Sequence, residues 1–124
     1  MKNVLVRPDI ASDHKAIASE WFKSLRNDIC TAFEEIDGTK FQRKKWNREG
    51  GGGGEISVMC GNVFEKVGVN ISTVHGTLSE QFRKELPGAE MASDFWASGI
   101  SLVAHMRSPH VPAVHFNTRY ICIG

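Results

Sequence analysis

The chain has 124 residues, 41% hydrophobic and 23% charged, a composition that excludes collagen-like, coiled-coil and wholly disordered classes and fits a single domain over residues 1–124. Fifteen Lys and Arg stand against fourteen Asp and Glu, a formal charge of +1, so binding of nucleic acid or a membrane surface through bulk charge is excluded and any electrostatic function is local. No apolar run approaches the ~20 residues of a membrane-spanning helix. Residues 1–13 lack the apolar stretch of a secretory signal, and three widely spaced cysteines without a CxxC pair make neither a disulfide framework nor a zinc knuckle. The expectation is a cytoplasmic protein with free, buried thiols.

A helix is expected first, over residues 12–36. Ile17, Trp21, Leu25, Ile29, Ala32, Phe33 and Ile36 recur at three- and four-residue steps, an amphipathic stripe with Lys15, Glu20, Lys23, Arg26, Asp28 and Glu34 turned outward. Gly38 is its stop signal. Residues 40–48 then carry five positive charges and no acid, with Phe41 and Trp46 interleaved, and run into five consecutive glycines at 50–54. That run ends in Glu55 with no Lys-Ser/Thr behind it, so the Walker phosphate-loop pattern is absent, and a flexible connector is the competing expectation. Residues 55–60 and 63–66 look like strands joined at Gly61-Asn62, a dipeptide suited to the positive φ of a tight hairpin, and residues 69–75 are a further β-like run. Thr77-Leu78-Ser79-Glu80 has the form of a capping box, after which Leu78, Phe82 and Leu86 share one face of a short helix closed by Pro87-Gly88.

The last third alternates with strand periodicity over residues 95–106 and 113–121, joined by a short loop holding Pro109 and Pro112. A hairpin symmetric about that loop pairs His105 with His115, Val103 with Asn117, and Ser101 with Arg119, and places these side chains on one face. Ser101, His105, His115, Asn117 and Arg119 then offer imidazole bases, an amide and a bidentate carboxylate binder, which a site for an acidic substrate needs. An alternating polar face is also what any sheet with one wet side shows, and periodicity alone favours that reading. Acyl transfer is weakly supported because no Gly-x-Ser-x-Gly elbow surrounds Ser101. A metal shared by His105 and His115 needs further ligands from elsewhere.

The order of motifs adds what periodicity lacks. Trp46-Asn-Arg-Glu-Gly-Gly-Gly-Gly-Gly54, Gly61-Asn-Val-Phe-Glu-Lys66, Gly68-Val-Asn70, Phe95, Gly99-Ile-Ser-Leu-Val-Ala-His105, Pro109, Pro112 and His115-Phe-Asn-Thr-Arg119 together resemble the N-terminal part of oxygen-dependent coproporphyrinogen III oxidase, over residues 41–120. The resemblance implies an α/β fold in which a large antiparallel sheet is flanked by helices, incomplete in this chain, and a homodimer. It implies oxidative decarboxylation of two propionates of coproporphyrinogen III to vinyl groups, giving protoporphyrinogen IX in haem biosynthesis, with O2 as co-substrate and no required cofactor. His115 resembles the family's acid/base histidine; Ser101 and the Asn117-Thr118-Arg119 triplet resemble its substrate-binding residues. His105 and His115 match metal ligands assigned in some bacterial members, which leaves a divalent metal open. Family chains are more than twice as long, so residues 1–124 correspond to the N-terminal part of a longer oxidase domain.

Two rival classes frame this reading. A non-catalytic module would recognise an acidic ligand or RNA through the basic and aromatic residues 40–48, although near-neutral charge speaks against nucleic acid. A metal-dependent hydrolase would carry stoichiometric metal.

Overall fold

A computed structural model describes residues 8–85 and 94–124. The described residues form helix α1, Pro8–Asp37, then strands β1 (Gln42–Asn47), β2 (Gly52–Met59) and β3 (Phe64–Thr77), the short helix α2 (Glu80–Glu85), and strands β4 (Asp94–Met106) and β5 (Val114–Ile123). The strands form one antiparallel sheet in the order β1-β2-β3-β4-β5, as the expected α/β class with a large antiparallel sheet requires.

Helix α1 packs on one face of this sheet. Phe22 and Cys30 enter a core with Met59, Phe64, Val67, Val69, Ile100, Leu102 and Ala104, flanked by Ala18, Leu25, Ile29, Phe33 and Tyr120. The buried line of α1 is therefore rotated from the expected stripe: Ile17, Trp21 and Ile36 are exposed, while Arg26, expected outside, is buried. Arg26 is tolerated there because its Nη1 donates to Glu55 Oε1 at 2.7 Å and its Nε to Asn27 Oδ1 at 2.8 Å, meeting the requirement that a buried charge be paired.

At the end of α1, Gly38 takes φ +84° and its N–H bonds Glu34 O at 2.8 Å, the left-handed cap expected of it. Asp37 beside it receives the turn between β2 and β3. Its Oδ1 accepts from Thr39 Oγ1 (2.7 Å) and Asn62 N (2.9 Å), and its Oδ2 from Val63 N (2.9 Å) and Phe64 N (3.0 Å). These bonds, foremost that from Phe64, hold the Asp37 carboxyl well below the usual carboxylate range. The same contact corrects the expectation for Gly61-Asn62: neither residue has positive φ. Glycine is needed at 61 because a Cβ would run into the Asp37 carboxylate.

Other local expectations change with their neighbours. The glycine run is a turn and a strand rather than a flexible connector, since Gly52, Gly53 and Gly54 pair with Val74, Thr73 and Ser72 of β3. The runs at 63–66 and 69–75 merge into the single strand β3, with a register shift between Phe64 and Lys66. Ser79, not Thr77, caps α2, its Oγ accepting from Phe82 N at 3.3 Å; Leu86 and Pro87-Gly88, expected to complete that helix, lie outside the described residues. All three cysteines are free, as expected, but only Cys30 is buried, where burial pushes its thiol pKa up against the opposing pull of Arg43 and Arg26.

Candidate active site on the open face of the sheet

The face away from α1 carries most of the side chains singled out by the sequence. Strand pairing aligns Lys44, Ile56, Asn70, Ser101 and Asn117 in one row across the sheet, and Trp46, Gly54, Ser72, Gly99 and Arg119 in the next. The observed partners of β5 differ from the symmetric hairpin: Val103 faces His115, Ser101 faces Asn117 and Gly99 faces Arg119. His105 and Met106 pair only with β3, at Lys66 and Phe64. Arg107 prolongs that alignment, its N–H bonding Val63 O at 3.0 Å and its Nε bonding Gly61 O at 2.7 Å. Thus β4 follows β3 two residues beyond the point where β5 departs. A shift of two is one full pleat repeat, so Ser101, His105, His115, Asn117 and Arg119 keep the common face expected of them.

The shift also sets the histidine geometry. His105 and His115 are diagonal rather than opposite, with Nε2 atoms 3.2 Å apart and ring centroids 5.4 Å apart, both exposed. In this arrangement one imidazole donates and the other accepts, so the pair can share and hand over a proton. Two nitrogens bound to one tetrahedral divalent ion at ~2.05 Å would lie roughly 3.3 Å apart, so the pair also fits as two ligands of such an ion. No cluster of three or more His, Cys, Asp and Glu able to hold a metal occurs among the described residues.

Ser101, Asn117 and Arg119 line a cavity of about 380 Å³ with Asn70, Ser72 and Trp46. Gly54 lets the Trp46 ring lie close over the sheet, since a Cβ there would sit 2.8 Å from that ring. Among the described residues, two buried side-chain atoms have no hydrogen-bond partner: Ser57 Oγ on the α1 face and Asn70 Oδ1 beside this cavity. Asn70 is a site candidate that sequence reasoning passed over; its position between Ile56 and Ser101 in the row is the signal, and it appears only once the register is known. Thr118 is the exception among the expected binding residues. It pairs with Ile100 of the core, so alternation turns its side chain to the α1 face.

The basic segment does not form one surface. Lys44 shares the open-face row with Ile56, whereas Lys45 pairs with Glu55, the partner of buried Arg26. Residues 40–48 therefore divide their charge between two faces, contrary to the single basic-aromatic patch an RNA-binding module would use.

Comparison with known proteins agrees with the motif order. The family model described as coproporphyrinogen III oxidase matches residues 17–124. The chain is 55% identical over 119 residues to a protein of Rickettsia africae (strain ESF-5), covering 88% of this chain and 43% of that protein, named oxygen-dependent coproporphyrinogen-III oxidase. Proteins of the same name from Rickettsia felis (56% over 119 residues, 88% and 43% covered) and Rickettsia bellii (strain OSU 85-389; 54% over 118 residues, 87% and 42%) are similar to it to the same degree. The chain thus spans less than half the length of these relatives.

Proposed function

We propose that this chain, which belongs to the coproporphyrinogen III oxidase family, carries the substrate-binding sheet face of an oxygen-dependent coproporphyrinogen III oxidase. The observation that carries the reading is the cavity of about 380 Å³ that gathers Ser101, Asn117 and Arg119 on the face shared with the His105–His115 pair. Among the described residues Arg119 has no carboxylate partner of its own, so its fork is free to take a substrate propionate. Asn117 supplies an amide and Ser101 a hydroxyl beside it.

The reaction asks little of the protein beyond this. Each of the two reacting propionates loses its carboxylate as CO2 while the two carbons left behind give up a proton and a pair of electrons to become vinyl, and O2 accepts the electron pair and two protons to leave as H2O2. The electron-rich porphyrinogen supplies the reducing power, so the protein's share is orientation and proton transfer. In this reading His115, relayed by His105, takes or returns that proton, a role supported by the 3.2 Å contact between their Nε2 atoms. His105 and His115 would be the residues to hold a divalent cation, which would supply positive charge beside a carboxylate. The reading includes a cytoplasmic homodimer.

The test is anaerobic binding of coproporphyrinogen III to this chain and to its Arg119→Ala variant, followed by air and chromatography for vinyl-bearing product against an enzyme-free control. The expected result is binding and product with wild type, and affinity weakened roughly tenfold to a hundredfold in the variant, as for loss of a charge-assisted hydrogen-bond pair. A folded wild-type chain that binds no porphyrinogen would overturn the reading.

A further inference from the structure

A second cavity, of about 620 Å³, adjoins the first and shares Trp46, Ser72 and Arg119 with it. Its walls are largely apolar, with Val74, Leu78, Phe82, Phe95 and Ile121, and among the described residues its charged lining consists of two guanidinium groups, Arg119 and Arg48, with no Asp or Glu. Like Arg119, Arg48 forms no salt bridge among the described residues. A cavity with an apolar body and uncompensated guanidinium groups matches a ligand with a flat apolar body and at least two peripheral carboxylates.

Arg48 is also built into place. Its Nη1 donates to His75 O at 2.9 Å and its guanidinium lies 5.5 Å from the centre of the Phe95 ring, which uses one N–H and leaves other donors of the fork unspent. The backbone around it is held by Arg48 N to Gly52 O (2.9 Å) and Gly51 N to Arg48 O (3.1 Å). A Cβ at Gly50 would stand 2.6 Å from Arg48 Nη1, and one at Gly76 would stand 3.1 Å from it. The start of the glycine run and a glycine of β3 therefore make the berth for this side chain. We propose that Arg48 is a second carboxylate-binding residue of the site, holding a propionate other than the one clamped by Arg119. This rests on the reading that the open face binds a polycarboxylate tetrapyrrole.

Fluorescence titration with coproporphyrin III, the stable oxidised tetracarboxylate, tests it in wild type, Arg48→Gln, Arg48→Lys, Gly50→Ala and Arg119→Gln, each at low and high salt. Arg48→Gln should weaken binding roughly tenfold to a hundredfold and flatten its salt dependence, which a merely structural role would not do. Arg48→Lys should recover part of the loss. Gly50→Ala, which keeps the charge but displaces the guanidinium, should weaken binding by roughly threefold or more, and it carries the test should Arg48→Gln fail to fold. If Arg119→Gln weakens binding while Arg48→Gln and Gly50→Ala match wild type in affinity and salt dependence, the Arg48 assignment falls and the site reading stands. If folded wild type does not bind coproporphyrin III, both fall.

Discussion

Ile100 and Ser101 are neighbours in β4 and belong to different environments: Ile100 is 1% exposed in the core under α1, whereas Ser101 is half-buried and lines a cavity on the opposite side. The contrast holds along the strands. On the covered side Val67, Val69 and Leu102 pack together and the Arg26–Glu55 pair is closed within the protein; on the open side Asn70, Asn117 and Arg119 keep hydrogen-bonding capacity that no described residue uses. One face spends its side chains on stability, and the other keeps polar groups without partners among the described residues. Strand alternation lets a thin sheet do both without a second layer.

The comparison breaks most sharply at Ile100. Ile100→Ala should cost about 3–4 kcal/mol in urea unfolding through lost burial and a cavity, while Ser101→Ala, one residue on, should change stability by less than about 0.5 kcal/mol and act on ligand affinity instead. A Ser101→Ala chain as unstable as Ile100→Ala would end the division between the faces. Glu55→Ala comes next: it leaves the Arg26 guanidinium buried without its carboxylate and should lower stability by roughly 3 kcal/mol, measured the same way.

Acid should act through the covered side as well. Because the folded state depresses the Asp37 pKa, the stability this carboxylate contributes is complete above its ordinary pKa of about 3.9 and is lost as pH falls through the lower folded-state value. The unfolding midpoint of wild type should thus drop below pH ~4, and Asp37→Asn should start lower and show a flatter acid limb. An unchanged limb would mean that the turn bonds do not bear on stability. The smallest effect is expected at Thr118. Thr118→Val, on the covered side, should leave coproporphyrin III affinity within about twofold of wild type, whereas Arg119→Ala should weaken it strongly; equal losses would show that the triplet acts through its backbone or as a unit.

What could be read from the sequence follows from which periodicities survive error. The five polar residues of β4 and β5 were assignable to one face because a two-residue register shift preserves the face, while the partners were not, because they depend on how far β4 follows β3. On α1 a step of about 100° per residue gives no such protection, so the expected stripe turns Ile17 and Trp21 inward and Arg26 outward, the reverse of the observed burial. The basic run hid β1 since its charges alternate across an edge strand rather than forming one patch. Gly61 reads as a turn residue, but what requires glycine there is Asp37, which lies far back in the chain and is invisible to a local pattern. The roles proposed for Ser101, His115, Asn117 and Arg119 rest on motif order, which periodicity does not encode.

The sheet order has a consequence for how the chain assembles. Each strand pairs only with strands adjacent in sequence, so no crossover must be threaded. Loop-closure entropy rises slowly with length and non-local contacts slow folding, which makes this order a fast route for an all-antiparallel sheet. The long-range event is the landing of α1, from the start of the chain, on β3 and β4. Asp37, which reaches the β2–β3 turn from the last turn of that helix, ties the end of α1 to the sheet.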